Sequence, residues 1–318
     1  MKVLVTGATG YIGAVAADAL AATGHEVLGL ARSTRSANAL RGRGIEPTMG
    51  DFADPASLTT AINESRPDAV VSAASVGASS GDNATTFARD REAVRAMREA
   101  LADHGGALVF TSGSAVFGSF NGGDATDAVY NEDTPLPLPE SVYAPAAAGV
   151  HPLLVAGFGA SMAARVETEQ AVLADGNGRG VVVRPGLVYG RGGNSDLTAL
   201  IDRARDLAEL YCLAVDNAPH GAILHGVVED VSQRELAMAI NRMIGVDERT
   251  EHLSLEQMLG ITAEMNIDSS FTPPPTAGSG ISLSLNKRLA SDRTRELLDW
   301  TPTRTDILQD IAFGSYAS

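Results

Sequence analysis

The length, composition and charge of the chain exclude several classes of protein. Its 318 residues, 44% of them hydrophobic and 20% charged, are typical of a globular protein with a large core in one or two domains. The formal net charge of −15 repels phosphate backbones and anionic lipids, so we expect neither a nucleic acid nor a membrane as partner.

The first two-thirds of the chain alternates between β-branched runs and helical patterns. This alternation predicts an α/β fold, a doubly wound parallel sheet of the Rossmann type with helices on both faces. The predicted strands are Lys2–Thr6, Glu26–Ala31, Ala69–Ala73, Ala107–Thr111 and Gly180–Arg184. Helices are predicted between them near Ile12–Thr23, Pro55–Ser65, Ala84–Asp103 and Ser161–Asp175.

The pattern changes in three regions. Ser119–Ala160 is too long for a simple connection, so we expect either a functional loop that closes as a lid or a mobile one. Three consecutive prolines within Asp268–Gly280 exclude a regular helix or a central strand there. Later helices are predicted at Leu197–Ala214, Ser232–Ile244, Ser254–Leu259 and Ser291–Leu298. We therefore expect a Rossmann domain over residues 1–190 and a smaller, mostly helical substrate region over residues 191–318.

A glycine-rich segment, VLVTGATGYIG, follows the first predicted strand and begins the first helix. Its glycines permit a tight turn and a close approach of the backbone to a pyrophosphate. The helix N-terminus adds unpaired N–H groups and the positive end of its dipole. The segment therefore predicts a dinucleotide site. The cofactor contacts expected from it are Gly7, Thr9, Gly10, Tyr11, Ile12 and Gly13.

The end of the second predicted strand indicates which dinucleotide binds. An acidic residue there usually binds the 2′-hydroxyl of NAD, whereas the sequence LGLARSTRS supplies Arg32, Ser33 and Arg35 and no acid. Arginine is suited to bidentate binding of a 2′-phosphate, so NADP(H) is preferred over NAD(H). The alternative is that Arg32 stacks on the adenine while Arg35 is only solvated.

The motifs along the chain resemble those of the short-chain dehydrogenase/reductase superfamily, in its extended and atypical branch of the NAD-dependent epimerase/dehydratase type. The resemblance covers nearly the whole chain. Besides TGATGYIG, it rests on GDFAD (Gly50–Asp54), VVSAAS (Val70–Ser75), LVFTSGSAVFG (Leu108–Gly118), ARVETEQAVL (Ala164–Leu173), VVRPGLVYG (Val182–Gly190) and RELLDWTP (Arg295–Pro302). It implies further cofactor contacts: beside the adenine from Asp51 and Phe52, along the dinucleotide from Ala73 and Ala74, and at the nicotinamide from Pro185, Gly186 and Val188.

The chain departs from the family pattern on the catalytic helix. The superfamily normally uses Tyr-x-x-x-Lys there, and the lysine lowers the pKa of the phenol that exchanges a proton with the substrate. Alignment of ARVETEQ with the family's SKxxxEQ stretch puts Arg165 at the lysine position and Ser161 at the tyrosine position. The resemblance therefore implies that Arg165 anchors the cofactor ribose and supplies a fixed positive charge.

The catalytic hydroxyl of the family also aligns unusually, at Gly113, which lies between Ser112 and Ser114. Strand alternation points both serines the same way, so either could bond a substrate carbonyl, and Ser112 is also expected to contact the cofactor. The alternative is that they satisfy local backbone groups. Because a serine hydroxyl is a weak acid, the proton would come through water or from the substrate, with Tyr130 and Tyr143 as further candidates.

The substrate side departs from the family as well. In relatives, a strand and a Val-His-x-x-Asp element precede the helix that resembles DLAELYCLAV, whereas here Leu200–Arg205 runs directly into Asp206. That element normally faces the substrate. We therefore expect a more open pocket, or one that Ser119–Ala160 closes.

These features lead to one hypothesis and two alternatives. We expect an NADPH-dependent ketoreductase acting on a small-molecule ketone without the Tyr/Lys pair. It would be similar to simocyclinone-type ketoreductases of aromatic polyketide antibiotic pathways. One alternative is a protein that binds or senses NADP(H) without chemistry, and the other is a sugar-nucleotide epimerase or dehydratase. Homodimers are common in the superfamily, and the sequence leaves the oligomeric state open.

The remaining candidate residues are interpreted as structural. Cys212 is the single cysteine, which excludes an internal disulfide, and its apolar helical surroundings predict a buried packing residue. The histidines His151, His220 and His225 lack metal-ligand spacing, so no metal is expected, and His225 is interpreted as a strand residue. The opening MKVLVTG is not a signal peptide, and the apolar runs are too short for a membrane span, so we expect a cytoplasmic protein.

Overall fold

The structure is a computed structural model of the chain. It describes residues 1–75, 83–121, 128–136, 152–186, 188, 205–253, 257, 288–303 and 306–313. The side chains of residues 83–85, 118–121 and 152–161 lie outside this description.

A seven-stranded parallel sheet forms the centre of the molecule. Its strands are β1 (Lys2–Thr6), β2 (Glu26–Ala31), β3 (Glu46–Met49), β4 (Ala69–Ser72), β5 (Ala107–Thr111), β7 (Arg179–Pro185) and β8 (Ile223–Gly226). Their spatial order is β3-β2-β1-β4-β5-β7-β8. A separate two-stranded parallel sheet pairs β6 (Val129–Tyr130) with β9 (Arg288–Leu289). The predicted fold class is confirmed.

Helices cover both faces of this sheet. They are α1 (Tyr11–Ala22), α2 (Thr34–Arg41), α3 (Pro55–Ser65), α4 (Asn83–Ala102), α5 (Pro152–Leu173), α6 (Arg205–Asn217), α7 (Gln233–Met243), α8 (Asp292–Leu298) and α9 (Ile307–Phe313). A 3-10 helix spans Ser114–Asn121.

Alternation along the strands divides the apolar residues between two cores. Val3 and Val5 pack in the core that contains residues of α1, α2 and α6. Leu4 packs in the core that contains residues of α3, α4 and α5. Because successive side chains of a strand point to opposite faces, strands buried on both faces appear as continuous apolar runs.

The predicted strands and several predicted helices are present with small shifts at their ends. The patterns missed α2, β3 and the two-stranded sheet, and they indicated β8 only through His225, which is a strand residue as expected. The helix predicted at Ser161–Asp175 begins earlier, at Pro152, so the last part of the predicted loop Ser119–Ala160 is helical. Residues 122–127 and 137–151 of that loop lie outside the described residues, so its role as a lid stays a prediction.

The elements after residue 190 are partly continuous with the sheet. Strand β8 pairs with β7, and α6 packs in the same core as α1. The predicted helix Ser232–Ile244 corresponds to α7, which Ser232 caps through its hydroxyl, and Ser291–Leu298 corresponds to α8. Asp268–Gly280 and most of Ser254–Leu259 lie outside the described residues. The proposed division at residue 190 stays a prediction.

The described residues do not meet the requirements of a membrane-spanning helix or of a metal site built from His, Cys, Asp and Glu. In the ranges described above, no helix has both the length and the apolar character needed to cross a membrane. Over the same ranges, no three side chains among His, Cys, Asp and Glu come together as a metal site would require.

Candidate functional site

Two glycines determine the shape of the turn between β1 and α1. Gly7 has a φ of +71°, and a Cβ at this position would lie 2.7 Å from the carbonyl oxygen of Ala73. A Cβ on Gly13 would overlap the carbonyl of Gly7. The N–H of Gly10 donates to the Gly7 carbonyl at 2.8 Å and closes the turn. A side chain at Gly7 would therefore push the turn away from the end of β4, and a side chain at Gly13 would push α1 away from the turn.

The N-terminus of α1 faces this turn without a capping side chain. Its N-cap is Gly10, which makes no side-chain cap hydrogen bond, and the first turn of the helix contains no acidic residue. Thr9 and Gly10 are exposed, whereas Ile12 is partly buried against the core. The N–H groups and the positive dipole end of α1 are therefore available for an anion.

The three polar residues predicted to select the cofactor follow β2 directly. Arg32 and Arg35 are exposed, and their side chains form no hydrogen bond or ion pair with any other described residue. Ser33 has a local role, because its hydroxyl accepts from the N–H of Ser36 at 3.2 Å and caps α2. Two cations are thus free to meet a ligand at this strand end.

Arg43 is a residue of this region that the sequence patterns did not single out. Its guanidinium donates to the carbonyl of Ala8 at 2.7 Å and to the carbonyl of Ala14 at 2.8 Å. It also donates to Asp18 Oδ1 at 2.6 Å. These acceptors lie 25 to 35 positions away along the chain, so no local pattern could have indicated the contact.

The residues predicted beside the adenine and along the dinucleotide lie at the ends of β3 and β4. Asp51 accepts from the N–H of Ala53 at 3.0 Å, and Phe52 is buried. The N–H groups of Ala73 and Ala74 donate to the backbone and the hydroxyl of Thr6, each at 3.3 Å. Ala73 and Ala74 therefore border the glycine turn, as the contact between Ala73 and Gly7 requires.

The two predicted serines follow β5. Ser112 continues the sheet ladder, with its N–H donating to the Val183 carbonyl at 2.8 Å. Its hydroxyl is buried and has no hydrogen-bond partner among the described residues. Ser114 is also buried and begins the 3-10 helix. Buried hydroxyls are nearly always paired, so the Ser112 hydroxyl has a hydrogen bond to offer to a water or to a ligand atom.

Arg165 of α5 is held over the end of β5 by aromatic rings. Its guanidinium carbon lies 4.6 Å from the ring centroid of Phe87 and 5.5 Å from that of Phe110. Its Nη1 lies 3.9 Å from Oδ2 of Asp90, which accepts from the Ser75 hydroxyl at 2.6 Å. Burial lowers the pKa of Arg165, and the carboxylates of Asp90 and Glu169 oppose that shift.

The geometry brings Arg165 and Ser112 to one face of the sheet. Ser112 is two residues beyond Phe110, whose ring contacts the Arg165 guanidinium, and residues two apart share a strand face. The backbone of Ser161 lies one helical turn before Arg165, but its side chain is outside the described residues. The Ser161 hydroxyl therefore stays a prediction.

The predicted nicotinamide contacts lie at the ends of β7 and β8. Pro185 is buried, and the N–H of Gly186 donates to the Gly226 carbonyl at 3.3 Å. Val188 is partly buried against the core that contains α1 and α6. These residues belong to the same carboxyl edge of the sheet as the glycine turn and the serines.

Other candidate residues lie in the core. Tyr130 is buried in β6 and its ring stacks on Phe117 with ring centroids 4.9 Å apart, and its role as an acid stays a prediction. Tyr143 lies outside the described residues. Cys212 is buried as expected, and burial raises the pKa of its thiol.

Comparison with known proteins gives a family and several relatives. Residues 3–218 match the model of the NAD dependent epimerase/dehydratase family. An uncharacterized protein of Schizosaccharomyces pombe is 26% identical, covering 99% of this chain and 100% of its own length. The structure of human epimerase family protein SDR39U1 (isoform 2) with NADPH has a TM-score of 0.64 at 19% identity, covering 98% of this chain and 99% of that chain. A UDP-glucose 4-epimerase from Stenotrophomonas maltophila, with bound NAD and formylated UDP-arabinopyranose, has a TM-score of 0.61 at 17% identity and covers 100% of this chain and 98% of its own.

Proposed function

Because the chain belongs to the NAD dependent epimerase/dehydratase family, we propose that it is an oxidoreductase that binds a nicotinamide dinucleotide and reduces a ketone with NADPH. The observation that carries the proposal is the buried, unpartnered hydroxyl of Ser112 on the strand face that Arg165 covers. A polar group in that position is suited to hold a substrate carbonyl where hydride transfer occurs.

The residues at the carboxyl edge of the sheet fit the diphosphate of a dinucleotide. Gly7 and Gly13 leave no room for a side chain, so the backbone itself forms the cradle. The uncapped N-terminus of α1 favours an anion. Arg32 and Arg35 supply two unpaired cations at the position where an acid would favour NAD, which supports a preference for the 2′-phosphate.

Ser112 and Ser114 would orient the ketone and stabilise its oxygen. Reduction adds a hydride to the carbonyl carbon and a proton to the oxygen, and the bound NADPH supplies the hydride. A hydroxyl directed at the oxygen strengthens its hydrogen bond as negative charge develops there. The Arg165 cation, which burial keeps poorly hydrated, would lower the energy of that charge from a fixed position.

The proton has to come from a group other than Arg165. A guanidinium does not deprotonate in a protein, and serine hydroxyls are too weakly acidic to give up a proton readily. Water or an acidic group of the substrate would supply it. An aromatic ketone with a phenol beside the carbonyl fits this requirement, because its own hydroxyl can pass the proton to the neighbouring oxygen.

The proposal is tested by mixing the protein with NADPH and a panel of aromatic and aliphatic ketones and following the loss of nicotinamide absorbance. We expect turnover of at least one ketone, with kcat/KM reduced about 100-fold by Ser112→Ala. Thr60→Ala, which removes an exposed hydroxyl of α3, is the matched control and should leave the rate unchanged. No turnover across the panel, or an unchanged rate in the Ser112→Ala variant, would count against the proposal.

A UDP-sugar 4-epimerase is a second candidate, because the fold of one UDP-glucose 4-epimerase matches this chain over 98% of that enzyme. An epimerase would keep NAD bound through purification and interconvert UDP-sugars without net consumption of NADPH. Analysis of the cofactor released from the purified protein, followed by an assay with UDP-glucose, would select this activity. Tight binding of NADP(H) with neither reaction would instead select a protein that senses the dinucleotide.

A further inference from the structure

Arg43 joins two elements of the proposed cofactor site, the glycine turn and α1. It lies in the connection between α2 and β3, and its side chain is only 17% exposed. From there its guanidinium reaches across to the glycine turn and to α1. The guanidinium satisfies three acceptors at once, although holding such a long side chain in one geometry costs rotamer entropy.

The two carbonyls that Arg43 binds belong to the two parts of the anion cradle. Ala8 lies in the turn between Gly7 and Gly10, and its carbonyl is in the same peptide group as the N–H of Thr9. Ala14 lies in the first turn of α1. One rigid guanidinium therefore fixes the distance and orientation between the turn and the helix N-terminus.

Because of the Asp18 carboxylate, Arg43 acts on the glycine turn through the geometry of its hydrogen bonds more than through its positive charge. It accepts from the same guanidinium at 2.6 Å and orients it toward the two carbonyls. Because Asp18 also balances the positive charge, the pair adds little net attraction for a phosphate. The donated hydrogen bond polarises the Ala8 carbonyl and strengthens the N–H donor of Thr9.

We propose that Arg43 is a positioning residue of the dinucleotide site, which holds the glycine turn in the conformation that binds the diphosphate. The inference rests on the cofactor binding proposed above. The diphosphate is common to NAD(H) and NADP(H), so Arg43 acts on both cofactors equally. Arg32 and Arg35, which are placed to meet a 2′-phosphate, instead set the preference between them.

The test compares dissociation constants for NADP(H) and NAD(H), measured by calorimetry on variants whose folding is checked by circular dichroism. Arg43→Met should weaken both cofactors by the same factor, about tenfold or more, because hydrogen bonds from a charged donor are lost. Arg43→Lys should recover part of the loss, since an ammonium can still reach one of the carbonyls. Arg41→Met is the matched control, because the Arg41 side chain is exposed and donates to Asn38 of its own helix, and the dissociation constants of this variant should be unchanged.

Several outcomes would overturn the inference. Unchanged constants in folded Arg43→Met would show that the residue only stabilises the fold, and a change in the NADP/NAD ratio would show direct contact with the 2′-phosphate. If Arg43→Met does not fold, the inference is tested with Arg43→Lys and Asp18→Asn. Unchanged dissociation constants for NADP(H) and NAD(H) in both variants would contradict it. Absence of binding in the unmodified protein would instead refute the proposed function itself.

Discussion

Arg165 combines a permanent charge with an apolar setting, and this combination determines what it can do. Its side chain is 18% exposed and packs against Phe87 and Phe110, with one carboxylate, Asp90, 3.9 Å away. A cation held in this way loses hydration, so its interactions with a nearby anion are stronger than in water. In the proposed function, this guanidinium would supply the fixed positive charge near the reacting oxygen.

At the residue scale, the prediction concerns the charge of Arg165. Arg165→Met should lower kcat/KM for the ketone at least about tenfold, because the developing oxyanion loses a fixed cation. Arg165→Lys, which keeps the charge, should retain much of the activity. Steady-state kinetics with NADPH would measure both effects. Arg95→Met, on the exposed side of α4, is the control, and full activity in folded Arg165→Met would refute the role.

Single residues also show what local patterns can and cannot predict. The positions of Gly7 and Gly13 followed from the spacing of glycines between a strand and a helix. The segment after β2 predicts Ser33 as a cofactor contact, and the structure adds a local role, because the Ser33 hydroxyl and Ser36 form a capping box at the start of α2. The contacts of Arg43 could not be predicted, because they join residues that only the packing of α1 and α2 brings together.

At the scale of elements, one ion pair joins α5 to β7 inside the protein. Arg184 and Glu169 are each 2% exposed, and the Arg184 Nη2 donates to Glu169 Oε2 at 2.6 Å. The Arg184 Nε adds contacts of 3.2 Å to both carboxylate oxygens. Because α5 carries Arg165 and β7 ends at Pro185, this pair fixes the position of α5 against the end of the sheet.

Breaking the ion pair between Arg184 and Glu169 should destabilise the folded protein. Glu169→Gln leaves the buried Arg184 cation without a counter-charge and should lower the free energy of unfolding by about 3 to 5 kcal/mol. Urea denaturation would measure the change. The matched control is Glu248→Gln, which breaks the exposed pair with Arg242 and should leave stability nearly unchanged. Equal effects of the two variants would contradict the account.

A second group of polar residues ties the C-terminal elements to the sheet. His225 of β8 is fully buried, and its Nδ1 lies 2.8 Å from the Ala290 carbonyl just after β9. Thr294 of α8 donates from its N–H to Glu132 at 2.9 Å and accepts from the His225 N–H at 2.8 Å. Burial lowers the pKa of His225, with Glu132 opposing the shift and Arg184 adding to it.

This arrangement predicts how stability depends on pH. Because the folded protein takes up the His225 proton at a lower pH than the unfolded chain, the unfolded state binds more protons below the ordinary histidine pKa of about 6.5. The free energy of unfolding should therefore fall as the pH decreases through that value toward the lower pKa of the folded state. In His225→Asn, urea titrations at several pH values should give a shallower fall. An unchanged slope would show that His225 does not contribute.

The elements that sequence patterns missed share physical causes. Strand β3 has the sequence EPTM, which contains a proline and no apolar run, because it forms an edge of the sheet. The first turns of α5 fall within Ser119–Ala160, whose length and content of Gly, Pro, Ala and Asp indicate a loop, whereas the structure has a helix from Pro152. In contrast, β1, β4, β5 and β7 were predicted well, since strands buried on both faces have continuous apolar runs.

At the scale of the whole molecule, the topology explains why the candidate residues meet. The order of the strands reverses between β1 and β4, so their outgoing connections pass to opposite faces and leave a crevice at the carboxyl edge. The glycine turn, Ala73 and Ala74, and Ser112 follow strands at that edge, and Pro185 is the last residue of β7. The general position of the site could therefore be predicted from the order of the motifs, whereas the contacts of Arg165 and Arg184 required the packing of α4, α5 and the sheet.

The central claim is that the turn after β1 binds a nicotinamide dinucleotide, and calorimetric titration of the purified protein tests it most directly. The account predicts one site per chain that binds NADP(H) more tightly than NAD(H), with the preference lost when Arg32 and Arg35 are both changed to Gln. At a cofactor concentration of 100 Kd, binding should stabilise the folded state by about 2.7 kcal/mol and raise its melting temperature. No binding heat and no thermal shift with either dinucleotide would contradict it.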